Sequence, residues 1–317
     1  MKTLLKILLL CFPILSYSQD IKKVSGVTDT NVKKVSGVSD TNIKKVNGVT
    51  FNNVSFSGIL DTYPNANFAY SVRRLDADYA GSAIRVRRAS DSATQDIGFE
   101  TDGDLDVAAI SSFCSGTTGY VTIWYDQSGN GYNFTSEDND NFVIYQSGAV
   151  LVGANGKPRI QSSNLACTGC LSTSSISMTE ILNLEEHYSI VSLANMTGSS
   201  VSYLDMTSGT NVLNLYFFYG VQGFYLEDGF GGNVEQYSSE EVSGDQIVEH
   251  RTANGDYFVY SQGAEVLNVA DDIIEYVNSG PLLLTVSGHT AYQEIIVYNT
   301  AQTANRAAIY TNTAAYF

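Results

Sequence analysis

Apolar and polar positions along this chain alternate in short runs that break often. The runs are Phe68–Val72, Ala83–Arg88, Gly119–Tyr125, Phe142–Val152, Tyr188–Ala194, Val212–Tyr219, Gly223–Glu227, Asp256–Ser261, Leu282–Val286 and Tyr292–Tyr298. They are rich in β-branched and aromatic residues and bounded by Gly, Asn, Asp and Ser clusters, which is strand-and-turn patterning. Val107–Ser112 reads as a short helix. The Ala-rich end, Thr303–Tyr316, reads as a terminal helix with Thr303 as its N-cap. So many strands without a βαβ rhythm predict an all-β fold: two antiparallel sheets packed face to face, with a short C-terminal helix.

The N-terminal stretch patterns differently. Lys2 and Lys6 precede the apolar run Ile7–Leu15, which ends in Ser16-Tyr17-Ser18. That order is a signal peptide, cleaved before Gln19, and it implies a protein secreted or held at the cell surface. The apolar run is shorter than the ~20 residues a membrane span needs, so any membrane association is peripheral at most. Residue Leu10 before Cys11 does not suit a lipid-attachment signal.

An 11-residue repeat follows. Ile21–Asn31, Val32–Asn42 and Ile43–Asn53 share the pattern apolar-Lys-Lys-Val-x-Gly-Val, and the first two close on Asp-Thr-Asn. An 11-residue period also suits a right-handed coiled coil, but the Gly and β-branched residues argue for short strands alternating with turns. A unit this small cannot bury its apolar side alone, so the repeat is read as a stalk or linker, with oligomerisation through it as one way to cover that side. The expected division is 1–18 signal peptide, 19–53 repeat and 54–317 domain.

Charge narrows the partners. From Thr50 onward nine basic residues face 30 acidic ones. A body this acidic disfavours nucleic acid and leaves neutral glycans or cations as partners. Calcium is one such cation: Asp102, Asp104 and Asp106 alternate along a short stretch, as do Glu137, Asp138 and Asp140. Calcium wants six to eight oxygens, so an exposed acidic turn competes with a site at both places. Of the cysteines beyond the leader, Cys167 and Cys170 have the spacing of a small disulfide loop, of free thiols or of half a metal site, and Cys114 stands apart.

Two segments carry more than pattern. The first contains Arg85-Val86-Arg87-Arg88-Ala89-Ser90-Asp91 and Asp96-Ile97-Gly98. The second contains Ser112-Phe113-Cys114 and Trp124-Tyr125-Asp126-Gln127-Ser128-Gly129. Their order and spacing resemble the N-terminal half of the catalytic domain of the α-L-arabinofuranosidase B family, glycoside hydrolase family 54. The resemblance implies a concanavalin-like β-sandwich, or jelly roll, and glycosidase ancestry. Glycan-contacting candidates are Trp124, Tyr125, Asp126, Tyr216 and Tyr219. For Arg85, Arg87, Arg88, Asp91, Asp96 and Asp126, ion pairs and turns offer a framework role instead.

The catalytic pair does not visibly come with the resemblance. Retaining hydrolysis needs two carboxyl groups ~5 Å apart. The family's nucleophilic Glu lies in a strand whose best counterpart is Val212–Phe217, which puts Leu213 at that position. The counterpart of its acid/base segment, Leu284–His289, has no carboxylate. Its adjacent cysteine pair has no match in Ser199–Leu204, and its cysteine after Ser-Phe-Cys is Gly119 here. Carboxylates that remain are Asp205, Glu227, Asp228, Glu235 and Glu294, the last read as a paired core residue. The expectation is a glycan-binding or adhesion protein on an arabinofuranosidase-like sandwich. The alternatives are an active α-L-arabinofuranosidase and a structural fibre component.

Overall fold

In the computed structural model, described backbone covers 56–136, 142–162, 171–172, 176–177, 186–196, 201–208, 211–219, 225–228, 236–237, 244–253, 256–269, 281–288 and 291–317, and three short hairpins before them. Side chains are described within 56–136, 142–162, 186–194, 244–253, 256–268 and 291–317. The chain divides into two units, Met1–Ser55 and Phe56–Phe317. In the first, each repeat copy forms a two-stranded antiparallel hairpin: β1 (Lys23–Val24) with β2 (Val27–Thr28), β3 (Lys34–Val35) with β4 (Val38–Ser39), and β5 (Lys45–Val46) with β6 (Val49–Thr50). Ser-Gly or Asn-Gly between paired valines is a two-residue turn signal, so strand-turn alternation, not helix, is what the repeat adopts.

In the second unit, α1 (Ile59–Thr62) leads into β7 (Phe68–Ser71), β8 (Ile84–Arg88), β9 (Thr94–Ile97), α2 (Val107–Phe113), β10 (Gly119–Trp124) and β11 (Phe134–Ser136). Then come β12 (Phe142–Gln146), β13 (Ala149–Val150), β14 (Ile160–Ser162), β15 (Leu171–Ser172), β16 (Ile176–Ser177), β17 (Glu186–Met196) and β18 (Val201–Ser208). The chain continues through β19 (Asn211–Tyr219), β20 (Tyr225–Asp228), β21 (Gln236–Tyr237), β22 (Gly244–Ala253) and β23 (Asp256–Ser261). It ends with β24 (Ala264–Val269), β25 (Pro281–Gly288), β26 (Ala291–Tyr298) and α3 (Arg306–Tyr316). Among the described residues every pairing is antiparallel, as expected.

The strands form two layers. One runs β9-β8-β10-β11-β15-β25-β18-β19-β20-β21, the other β7-β26-β17-β22-β23-β24. β12 pairs β10, β14 pairs both β12 and β26, and this corner carries the hydrogen-bond ladder from one layer into the other. The main core draws on both layers: Ile84, Val86, Val121, Trp124 and Phe134 from the first, and Phe68, Tyr70, Val191, Val259, Ile295 and Val297 from the second. The other face of the second layer, with Ala69, Tyr188, Ile190, Ile296 and Tyr298, packs under Ile59 and Leu60 of α1 and Ile309 of α3. Both faces of β26 are therefore covered, and all eight of its residues are buried.

Two buried carboxylates pin α3 to that layer. Arg73 forks onto Glu294, Nε at 2.7 Å and Nη2 at 2.9 Å. Ser71 Oγ at 2.8 Å and Thr313 Oγ1 at 3.1 Å complete the shell. Glu249 accepts from Tyr188 OH at 2.7 Å and from Arg306 Nη1 at 2.8 Å. The C-terminal helix begins at Arg306 behind Asn305, later than expected, because the Thr303 hydroxyl accepts from Arg251 Nη1 and does not cap the helix.

His187 and His250 are buried on adjacent strands β17 and β22. Burial pulls the His187 imidazole down to about 4. Burial, and then the neighbouring His187, pull His250 down to about 3. Both rings are thus held neutral in the fold, and the unfolded chain takes up their protons first as pH falls. Their contribution is fully present above the ordinary histidine value of about 6.5 and is lost as pH falls toward about 4, by up to about 1.4 kcal/mol per unit for each ring. Urea unfolding at pH 7, 5.5 and 4.5 is expected to show the midpoint falling with pH, and His187→Phe to flatten that slope relative to wild type. Glu294→Ala, which leaves Arg73 buried without its partner, is expected to cost about 3–5 kcal/mol in the same assay at pH 7.

Candidate functional site

The Tyr-Asp-Gln-Ser-Gly segment is built as a clamp on β7. Asp126 is buried and its carboxylate takes four hydrogen bonds: Oδ1 from the Ala69 and Ser128 amides (3.0 and 2.9 Å), Oδ2 from Ser128 Oγ and the Tyr132 amide (2.8 and 3.1 Å). Gln127 Oε1 accepts from the Leu75 amide at 2.8 Å, while its Nε2 donates to the Ser71 and Arg73 carbonyls. Gly129 and Gly131 turn the chain at φ 89° and 80°, which disfavours residues with a Cβ. Asp126 therefore positions a loop, and no lone pair is visibly left over for a ligand.

The other sequence candidates also sort by environment. Trp124, expected among the sugar-contacting aromatics, is completely buried and packs tilted against Tyr70 and Phe134 at 5.8 and 6.5 Å. It pairs with buried Ile84 and Phe134, and the bulge between Val121 and Ile123 brings it to the same inner face as Val121, so it is a core residue. Tyr125 is half-buried, and its hydroxyl donates to Asp96 Oδ1 at 2.8 Å. Burial and that carboxylate push the phenol up to about 12. Arg85 forks onto the same Asp96, at 2.7 and 2.9 Å, and holds its carboxyl below the usual range. Arg88 pairs with Asp91, and Arg87 lies over the Tyr120 ring.

The calcium candidates do not converge. Asp106 caps α2 by accepting from the Ala109 amide, Asp104 accepts from Lys157 Nζ and Tyr316 OH, and Asp102 accepts from the Asp104 amide. Among the described residues no group of three His, Cys, Asp or Glu is placed to hold a metal ion. The Glu137–Asp140 stretch, Cys167, Cys170, Glu235 and His289 lie outside the described residues. Cys114 is a buried free thiol. A Cβ on Gly119 would stand 2.6 Å from its sulfur, so the position that the resembled family fills with a second cysteine does abut Cys114.

Register places the remaining candidates. Paired residues share a sheet face. One row runs Asp96–Arg85–Ile123–Thr135–Ser172–Thr285–Asp205–Asn214–Glu227, from β9 to β20. Thr135 and Asp96 are exposed, whereas Phe134 next to Thr135 is wholly buried. The adjacent row pairs Leu171, Val286, Leu204, Leu215 and Leu226 in succession. Asp205 and Glu227 both pair with Asn214, Asp228 pairs with Leu213, and Tyr219 pairs with Val201. Sequence reasoning named Tyr225 among the strand aromatics but passed over Tyr203 and Tyr237. They pair in series with Tyr216 as Tyr203–Tyr216–Tyr225–Tyr237, and only cross-strand register reveals the alignment.

Comparison with known proteins agrees with this framework. Residues 62–159 match the family model described as alpha-L-arabinofuranosidase B, catalytic. A probable alpha-L-arabinofuranosidase B of Aspergillus fumigatus is 46% identical over 66 residues, 20% of this chain and 13% of that relative. An alpha-L-arabinofuranosidase of Hypocrea jecorina is 43% identical over 65 residues, again 13% of its length. An arabinofuranosidase solved with arabinofuranosyl-alpha-1,2-xylobiose superposes with a TM-score of 0.57 at 17% identity, covering 81% of this chain and 64% of that one. The matched segment thus spans a small part of the curated relatives, and the shared fold extends well beyond it. The chain carries an arabinofuranosidase B-like domain: it resembles that catalytic-domain family in sequence over residues 62–159 and shares the β-sandwich over a larger span.

Proposed function

We propose that this chain is an exported glycan-binding protein whose arabinofuranosidase-like sandwich works without the family's catalytic carboxylate pair. The residue types in β19 carry the reading. By residue order Leu213 is the counterpart of the family's nucleophile, and the residue after it is the amide Asn214. Neither side chain supplies a nucleophile at that point of the strand. The framework that orders this half of the domain is retained in Asp126, Gln127 and the Arg85–Asp96 pair, and a structural neighbour binds an arabinofuranosyl xylobiose. The signal-peptide pattern at Met1–Ser18 supports export, and the repeat is read as the element that displays the domain.

One observation favours an active glycosidase as the second reading. Asp205 and Glu227 occupy one row two strands apart, about 9.6 Å between backbones.

Purified mature protein is expected to be retarded in gels containing arabinoxylan or arabinan, with no release of arabinose from these polymers or from an aryl α-L-arabinofuranoside. Arabinose release abolished by Asp205→Asn or Glu227→Gln would replace the binding reading with the enzymatic one. Absence of both binding and release would favour a structural fibre component.

A further inference from the structure

Polar side chains gather on the face of the second layer that is turned to the core between the layers. His187 pairs with Thr252 and Ser189 with His250, across β17 and β22. Thr252 pairs in turn with Tyr257, and His250 with Val259, across β22 and β23. Paired residues, and residues two apart on a strand, share a face. Val191, Val248, Tyr257 and Val259 on that face belong to the main core, whereas Tyr188, Ile190 and Ile247 between them belong to the cluster under the helices. His187, Ser189, His250, Thr252 and Tyr257 are all buried. They form a polar island among aliphatic neighbours.

Part of that polarity is met within the island. His250 Nδ1 is hydrogen-bonded to Tyr257 OH, and Thr252 Oγ1 accepts from the His187 amide at 2.9 Å. Burial pushes the Tyr257 phenol well above its ordinary value, so it keeps its proton and donates it to the ring. A neutral imidazole that accepts at Nδ1 carries its own proton on Nε2, which makes His250 Nε2 a donor. The rest is not met by the protein. Among the described residues, His187 Nδ1, His187 Nε2 and Ser189 Oγ are buried without a hydrogen-bond partner. Buried donors and acceptors left unmatched forfeit their hydration, so these atoms call for a guest.

We infer that the interior beside β17 and β22 is a binding site for water, held between His187, Ser189 and His250. Three features select water over other guests. A neutral imidazole offers one donor and one acceptor and a hydroxyl offers both, and water answers each of them. Ser189 and His250 lie opposite one another, with Cβ atoms about 5 Å apart, and His187 stands two residues along. One molecule there has the two to four polar partners that internal water takes. Two imidazoles fall short of the four ligands of zinc, and no group of three metal-ligating side chains is placed here among the described residues.

Magnetic relaxation dispersion of oxygen-17 in solutions of the mature protein counts its long-held internal waters. The count is expected to fall by at least one in the double variant Ser189→Ala with His187→Phe. It is expected to keep the wild-type value in Tyr125→Phe, on the other layer. Urea unfolding of Ser189→Ala alone, a loss of one oxygen that guards against misfolding of the double variant, gives a readout of opposite sign for a wet and a dry interior. In a wet interior the guest loses a partner and the midpoint falls, which is the expected result. In a dry interior a stranded hydroxyl is removed and the midpoint rises.

An unchanged water count in the folded double variant, or a raised midpoint in Ser189→Ala, would overturn the site. So would Zn(II) that raises the unfolding midpoint of wild type and not of His187→Phe, since the guest is then a metal ion. These readouts need no glycan, so their failure is separate from failure of the glycan-binding reading.

Discussion

Antiparallel register across the first layer is the constraint on which everything else in this domain depends. Side chains alternate with a period of two, so one pairing decides which residues share a face as far as the next bulge. From β9 to β20 that decision holds through eight successive pairings. It sends Trp124 and Phe134 to the core side, and Arg85 and Thr135 to the other. A slip of one residue between β10 and β11 would exchange buried Phe134 for exposed Thr135, and loss of that buried ring makes the slip costly.

The family-like framework lies at one end of this layer, and the register row of Asp205, Asn214 and Glu227 at the other. Near β8–β11, polar groups are consumed internally: Asp126 by amides, Asp96 by Arg85 and Tyr125, Gln127 by the backbone of β7's continuation. A motif of this kind reports how the sandwich is assembled and says little about ligands. Near β18–β21 the polar residues are not drawn from any motif. Asp205, Asn214 and Glu227 align only through the pairing of successive strands.

This difference explains how far the sequence could be read. Class and architecture followed from strand-and-turn patterning, and the helix at Val107 and the strands around Phe68, Ile84, Gly119 and Tyr292 stand where expected. β22 escaped notice because a strand in a layer covered on both faces need not alternate: its run Ile247–Ala253 is buried throughout although it contains Glu249, His250 and Arg251. β18 was missed because Val-Ser-Tyr-Leu-Asp-Met-Thr-Ser mixes turn-forming residues with apolar ones. Trp124 was misplaced as a sugar contact because composition flags aromatic residues without their face, and β10 puts that ring in the core. Asp205 and Glu227 were named as carboxylates, but that they share a row is a long-range fact no local pattern contains. The same holds for the four tyrosines.

The central claim is that the sandwich binds a glycan without hydrolysing it. Calorimetric titration with a neutral arabinoxylan oligosaccharide, followed by chromatography of the recovered ligand, tests it most directly. The account predicts saturable heat of binding and an intact oligosaccharide. Recovery of free arabinose would contradict it.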